Sequence, residues 1–227
     1  MPMIDPSQTI ARIVLDHPAA ARVFQNYRID FCCHGDVPLP EACARAGVDP
    51  QSVSDALDHA LSNPSAESNR DLRSVSTPAL IGYIIDRHHG YLRDALPGLR
   101  AMTAKIALVH GDHNPKLKEL GEAVTTLADS LEPHLLREEQ MLFPSLMARD
   151  LDAQFVRDEL ERMATDHKEV GDLLFRIRAL AEDFSVPEWG CGTYRACFRE
   201  LEAMEGDILR HVHLENHLLM PRFMGAA

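Results

Sequence analysis

The chain has 227 residues, enough for one large domain or for a core domain with a smaller one beside it. A formal charge of −12 argues against a nucleic-acid partner, since phosphate binding relies on clustered Lys and Arg. No apolar run approaches the roughly 20 residues of a membrane span, and no signal-peptide pattern opens the chain. Five cysteines without a CxxC pair predict reduced thiols. We therefore expect a soluble, intracellular protein without a membrane partner.

Residues 1–62 predict several short helices, because short amphipathic stretches alternate with prolines and glycines. The segment is either a small helical domain, which we expect, or an arm that packs on the larger unit. Its most unusual feature is a pair of adjacent cysteines, Cys32 and Cys33, followed by a histidine. A disulfide between neighbours would be strained, so a dithiol is expected. Such thiols could be redox-active or bind metal transiently. Alternatively, they are half-buried, small apolar residues.

Residues 63–76 are polar and rich in Ser and Asn, which predicts a linker and a domain boundary. The remaining residues, 77–227, show helical spacing of apolar positions and no two-residue alternation typical of strands. Four long helices are predicted, at about 77–109, 115–142, 152–183 and 193–219. The predicted fold class is all-α, an antiparallel four-helix bundle preceded by the small helical domain.

The second and fourth predicted helices carry the same motif, a His, three residues, a Glu, and then Leu and Pro at matched distances. The pairs are His134 with Glu138 and His211 with Glu215. Positions four apart lie on one face of a helix. Each helix can therefore direct an imidazole and a carboxylate to the same point.

The motif belongs to a longer internal repeat. His89 on the first helix recurs as His167 on the third after 78 residues, and His134 recurs as His211 after 77. A duplicated helix pair packs with approximate two-fold symmetry, so matched positions should converge. The predicted metal ligands are His89, His134, Glu138, His167, His211 and Glu215.

Four imidazoles and two carboxylates suit a first-row transition metal that accepts nitrogen and oxygen donors. Six donors exceed a tetrahedral zinc site, so two metals are expected. If both carboxylates bridge, each metal has four protein donors, and an oxo or hydroxo bridge adds a fifth. A single His-x3-Glu is usually a solvated pair, but the second copy and two further histidines favour the dinuclear site.

The remaining histidines are predicted to have other roles. His88 points away from His89 and is expected at the surface or in support of a ligand. Asp86, one turn before His89, could orient that ligand. His213 and His217 lie off the face of His211 and are expected to be solvated.

Taken together, these motifs make the chain resemble, over essentially its whole length, the iron–sulfur cluster repair di-iron proteins (the RIC, or ScdA/YtfE-type, family), which pair a Cys-Cys domain with a hemerythrin-like bundle. The segment from Asp30 to Gly35 matches their N-terminal motif, and the six residues above match their di-iron ligands. Oxygen-carrying hemerythrins use a more His-rich set ending in an Asp, so the second His-x3-Glu makes simple oxygen carriage the weaker interpretation.

The resemblance implies a cytoplasmic protein with two non-haem iron ions, bridged by carboxylates and an oxo or hydroxo group. It implies repair of iron–sulfur clusters damaged by nitrosative or oxidative stress, through iron donation or handling of nitric oxide. Cys32 and Cys33 would then serve in redox chemistry or partner contact. The expected partners are damaged iron–sulfur proteins, with nitric oxide or oxygen as small ligands.

Other functions stay open at this point. The site could bind nitric oxide or oxygen as a scavenger or sensor without turnover, or act as a nitric oxide reductase. A ferritin-like ferroxidase is a weaker option. Ligand type alone does not separate iron from manganese, and the sequence leaves the client, the electron donor and a homodimer open.

Overall fold

The computed structural model describes residues 4–62 and 71–224. Within those ranges the chain is helical and contains no strand, apart from one isolated bridge between Thr9 and Pro38. The predicted all-α fold class is confirmed. No helix within the described ranges is long and apolar enough to cross a membrane. The predicted linker, 63–76, falls largely on residues 63–70, which lie outside the described residues.

Contacts divide the chain into two compact units. The first unit comprises Met1–Leu80 together with Leu209–Ala227, and the second comprises Ile81–Ile208. Both borders fall inside helices, the first within Thr77–Ile84 and the second within Gly192–Leu214. The C-terminal segment that carries His211 and Glu215 is therefore grouped with the N-terminal residues by its contacts.

The N-terminal part of the first unit contains four short helices, and local sequence explains their ends. Thr9 accepts a hydrogen bond from the backbone N–H of Arg12 and so caps the first of them. Gly47, at φ 68°, ends the third in the left-handed conformation that glycine tolerates best. The helices are α1 (Ile10–Asp16), α2 (Ala20–Asn26), α3 (Leu39–Ala46) and α4 (Pro50–Ser62).

The core of this unit is small and apolar. Ile13, Phe24 and Phe31 are almost fully buried, and so are Val53 and Leu57 on α4. α2 packs against α4. Burial of a side chain of this size contributes about 1.5–3 kcal/mol. The short helices are thus stabilised by packing rather than by their own propensity.

Longer helices follow, and three of them are interrupted by a π-helical turn of five residues. Such turns occur frequently at functional sites. The turns are Ile85–His89, Glu138–Leu142 and Glu215–Leu219. The helical segments are α5 (Thr77–Ile84), α6 (Gly90–His110), α7 (Lys116–Arg137), α8 (Phe143–Leu146), α9 (Ala153–Leu180), α10 (Gly192–Leu214) and α11 (Pro221–Met224).

In the second unit, α7 packs against both α6 and α9. Asp152 caps α9 by accepting hydrogen bonds from the backbone N–H groups of Gln154 and Phe155. The core is formed mainly by leucines at helical spacing, with isoleucines and phenylalanines between them, among them Leu127 and Phe198. The four predicted long helices are present, but three of them are not regular α-helices throughout.

Candidate metal site

Within the second unit, the carboxylate of Glu138 is surrounded by three imidazoles. Its oxygens lie 3.1 Å from His134 Nε2, 3.4 Å from His89 Nε2 and 4.0 Å from His167 Nε2. The donor atoms of His134, Glu138 and His167 all lie within 4.8 Å of one another. Three helices thus contribute to one point in this unit, as their sequence spacing predicts.

Burial of these side chains is nearly complete. His89 is 0% exposed, Glu138 2%, His167 1% and His134 7%. A charged carboxylate removed from water needs a compensating charge. A protonated imidazole or a bound metal would supply such a charge to Glu138.

Two further carboxylates hold the outer nitrogens of these imidazoles. His89 Nδ1 lies 2.7 Å from Glu139, and His134 Nδ1 lies 3.2 Å from Asp166. An ionised carboxylate only accepts hydrogen bonds, so each Nδ1 donates. In the neutral form of either ring, Nε2 would then carry the lone pair on the side of Glu138. Hydrogen bonding of Nδ1 to a carboxylate, with Nε2 directed at the metal, is the usual arrangement of metal-bound histidines.

Glu139 also contacts a cationic side chain. Arg93 Nη1 lies 2.9 Å from the Glu139 oxygen that His89 also contacts. Partial burial tends to raise the pKa of Glu139, but hydrogen bonds from Arg93 and His89 lower this pKa overall. The acid stays ionised and keeps His89 in one tautomer. Sequence reasoning missed this residue, because its role depends on packing between α6 and the turn that begins at Glu138. Asp86, the predicted support for His89, is exposed instead.

His88 is a buried residue with a carboxylate partner of its own. It is 2% exposed, and its Nδ1 lies 3.0 Å from Asp207, which is also buried. Arg87 Nη1 lies 3.4 Å from the other Asp207 oxygen. The ring edge of His88 also meets Tyr83. Of the two alternatives predicted for His88, the surface position is wrong.

In the first unit, His211 and Glu215 form the second copy of the motif. His211 Nε2 lies 3.2 Å from Glu215 Oε1, and the two residues are 1% and 0% exposed. Glu215 opens a π-helical turn, as Glu138 does. The predicted one-face alignment of imidazole and carboxylate is therefore present in both copies.

The solvated positions expected for His213 and His217 are wrong. His213 is 2% exposed, and its Nδ1 lies 3.3 Å from the carbonyl oxygen of Phe31. Burial lowers the pKa of His213 to about 3, helped by the neighbouring His217. His217 Nε2 lies 3.0 Å from the carbonyl oxygen of Cys32. The sequence could not reveal this, because the residues that cover both rings lie more than 180 positions earlier.

The adjacent cysteines lie in the loop that these histidines contact. Cys32 is buried, Cys33 is half-buried, and both are thiols. Their sulfur atoms are 3.6 Å apart, and Asp30 lies beside them. The predicted dithiol is thus present.

Comparison with known proteins gives two family matches. The ScdA_N family, described as a domain of unknown function (DUF542), matches residues 6–61. The hemerythrin HHE cation-binding domain matches residues 80–223. The cluster around Glu138 and the His211–Glu215 pair both lie within the second match, where cation-binding residues are expected.

Several relatives match over nearly their full length. The "iron-sulfur cluster repair protein ScdA" of Staphylococcus haemolyticus is 31% identical over 223 residues, covering 97% of this chain and 100% of the relative. The "iron-sulfur cluster repair protein YtfE" of Edwardsiella ictaluri is 31% identical over 216 residues, covering 95% and 96%. Its counterpart in Yersinia pseudotuberculosis is 32% identical over 218 residues, with the same shares. With both domain matches in the same order, the chain belongs to the iron–sulfur cluster repair family that joins a ScdA_N domain to a hemerythrin HHE domain.

Proposed function

We propose that this chain repairs iron–sulfur clusters damaged by nitrosative or oxidative stress, and that it does so by donating iron from its hemerythrin-like domain. The family and the printed names of its relatives support repair. The buried cluster of imidazoles around Glu138 carries the proposal of a metal store, because its donor set suits iron.

The proposed ligand set holds two iron ions. It joins the cluster around Glu138 to the His211–Glu215 pair, with Glu138 and Glu215 shared between the metals. The duplicated sequence supports this assignment, since each helix pair supplies two histidines and one glutamate. The full set is His89, His134, Glu138, His167, His211 and Glu215.

The surrounding residues would control how firmly the iron is held. Glu139 and Asp166 hold the rings of His89 and His134 by their Nδ1 atoms, so that each Nε2 faces inward. Glu139 is 23% exposed and Asp166 34%, measured on the side chain. Partial exposure lets water compete for both hydrogen bonds. When bound, the iron supplies exchangeable ions and a redox couple. The chain supplies the binding site, in which the carboxylates that hold the ligand histidines are partly exposed to water.

The test is transfer of labelled iron. The full-length chain is loaded with ⁵⁷Fe and incubated with a purified [4Fe–4S] enzyme whose cluster nitric oxide has destroyed. We expect client activity to return, with ⁵⁷Fe appearing in the client cluster as it leaves this chain. Activity and isotope content of both re-isolated proteins are measured, and a chelator that holds free iron but not protein-bound iron is present throughout.

The matched variants are Glu138→Gln and Glu132→Gln, on the same helix. Glu132 is exposed, so its substitution should leave repair unchanged. Glu138→Gln should abolish transfer. Repair with no movement of ⁵⁷Fe would contradict donation, and nitrous oxide formed at many turnovers per chain would assign the site to nitric oxide reduction instead.

A further inference from the structure

A second cluster of metal-binding side chains lies in the first unit, in the loop between α2 and α3. It consists of Asp30, Cys32 and Cys33, whose donor atoms all lie within 4.8 Å of one another. This cluster shares no residue with the histidines and glutamates proposed above as iron ligands. Its sulfur donors select a different class of ion, because thiolates prefer softer metals than carboxylates do.

The spacing of the donor atoms matches the edges of a small coordination tetrahedron. Metal–sulfur bonds of about 2.3 Å place two thiolates roughly 3.8 Å apart, and a thiolate and a carboxylate oxygen roughly 3.6 Å apart. The two sulfur atoms here are 3.6 Å apart. Cys32 Sγ lies 3.3 Å from Asp30 Oδ1. A disulfide would need about 2.05 Å between the sulfurs, so the observed geometry is closer to chelation than to a bridge.

The loop holds this geometry by backbone hydrogen bonds. Asp30 Oδ1 accepts from the backbone N–H of Cys32 at 3.1 Å and of Cys33 at 2.9 Å. The other Asp30 oxygen lies 2.6 Å from His34 Nδ1. One carboxylate thus orders the backbone of both cysteines and lies beside the Cys32 sulfur.

The C-terminal segment of the same unit fixes the loop from outside. The carbonyl oxygen of Cys32 accepts a hydrogen bond from Asn216 Nδ2 at 2.9 Å and lies 3.0 Å from His217 Nε2. Gly35 permits the close packing, since a Cβ there would lie 2.4 Å from the Phe31 carbonyl oxygen and 2.7 Å from Ala11. An ion would thus meet ligands that are already in position, which reduces the ordering cost of binding.

The loop is accessible to solvent at Cys33 and His34. Cys32 is 2% exposed, whereas Cys33 is half-buried and the His34 side chain is 56% exposed. A metal can enter past His34 and Cys33, and a water or an external thiolate can complete its coordination from there.

We propose that Asp30, Cys32 and Cys33 form a second metal site that binds one thiophilic divalent ion, such as Zn²⁺ or Co²⁺, independently of the proposed repair function. Binding forms two metal–sulfur bonds and breaks two S–H bonds, and both protons go to solvent. No oxidant or reductant takes part. The Asp30 oxygen that now faces the Cys32 thiol becomes the third ligand.

The experiment is a titration of the reduced, iron-loaded, full-length chain with Co²⁺. We expect one equivalent to produce a sulfur-to-cobalt charge-transfer band and the intense visible bands of tetrahedral cobalt, both lost on addition of Zn²⁺. Iron content is measured before and after, because cobalt entering the hemerythrin-like site would give no sulfur band. Absence of the sulfur band in the wild-type chain would overturn the proposal.

Variants assign the ligands. Cys32→Ser and Cys33→Ser should each weaken Co²⁺ binding by about 100-fold or more, since even supporting contacts to metal ligands are worth 10–100-fold. Asp30→Asn keeps an oxygen for the two backbone N–H groups but removes the charge, and should weaken binding by about tenfold or more. Cys191→Ser, which removes an exposed thiol in the second unit, is the matched control. Undiminished binding in either Ser variant would refute the dithiol assignment, and circular dichroism of each variant shows that the fold is retained.

Discussion

The first helix pair (α5 to α8) and the second (α9 to α11) carry matching residues but differ in what surrounds them. His134 lies 3.1 Å from Glu138, and His211 lies 3.2 Å from Glu215. This agreement is local, since four-residue spacing and a π-helical turn at each Glu set both distances. The neighbours differ. Asp166 from another helix holds His134, whereas the residues after His211 contact the loop of Cys32.

The same contrast appears in the ion pairs. Arg100 recurs in the repeat as Arg178. Arg100 pairs with Asp129 at the surface, where the side chains are 37% and 63% exposed. Arg178 pairs with Glu205 through two contacts, and these side chains are 8% and 5% exposed. The repeated arginine thus has a carboxylate partner in both places, and burial changes the energetic weight of the pair.

The largest expected effect is loss of metal on removing either carboxylate that we propose to be shared between two ions. Glu138→Gln and Glu215→Gln should each release most of the bound iron, because each carboxylate is assigned to both ions. Metal analysis of the purified variants and their near-ultraviolet bridge absorption would measure this. A variant that kept two irons and an unchanged spectrum would show that its carboxylate is not shared.

Among the substitutions that test stability, breaking the buried Arg178–Glu205 ion pair should have the largest effect. Glu205→Ala leaves the buried Arg178 with the longer 3.5 Å contact to Asp183 and should lower the free energy of unfolding by about 3 kcal/mol. Asp129→Ala, in the matching surface pair, should cost about 0–1 kcal/mol. Chemical denaturation of both variants tests the difference, and equal costs would mean that burial does not separate the two pairs.

The supporting carboxylates should have an intermediate effect. Glu139→Gln and Asp166→Asn should each weaken metal binding by about 10–100-fold, because the ring of the ligand histidine loses its orientation. Competition with a chelator of known affinity measures the change. Asp86→Asn, beside His89 in sequence but exposed, is the control that should bind normally. Weaker binding in that control would restore Asp86 as a support.

The smallest expected effect concerns the start of the second helix pair. Asp152→Ala removes the acceptor for two backbone N–H groups at the start of α9 and should cost about 1 kcal/mol. Asp150→Ala, two residues earlier and exposed, should change the thermal midpoint by far less. Identical midpoints for the two variants would mean that the cap adds nothing to the packing of α9.

The sequence by itself determined the helical class and the local pairing of each motif. Apolar spacing predicts the helices, and the interval between His134 and Glu138 places both side chains on one face of a single helix. These features depend on residues a few positions apart, so the spacing alone is sufficient to predict them. The resemblance to the repair family, confirmed by both domain matches, rests on the same motifs.

Only the tertiary structure decided which side chains support those motifs. Glu139 meets His89 across 50 positions, and His213 is buried against a carbonyl oxygen 182 positions earlier. Local spacing carries no information about such partners, because they come together only when separate helices pack. The same holds for the π-helical turns, which regular helical spacing does not predict. Burial, rather than residue type, separates the strong Arg178 pair from the weak Arg100 pair, and burial is a property of the folded chain.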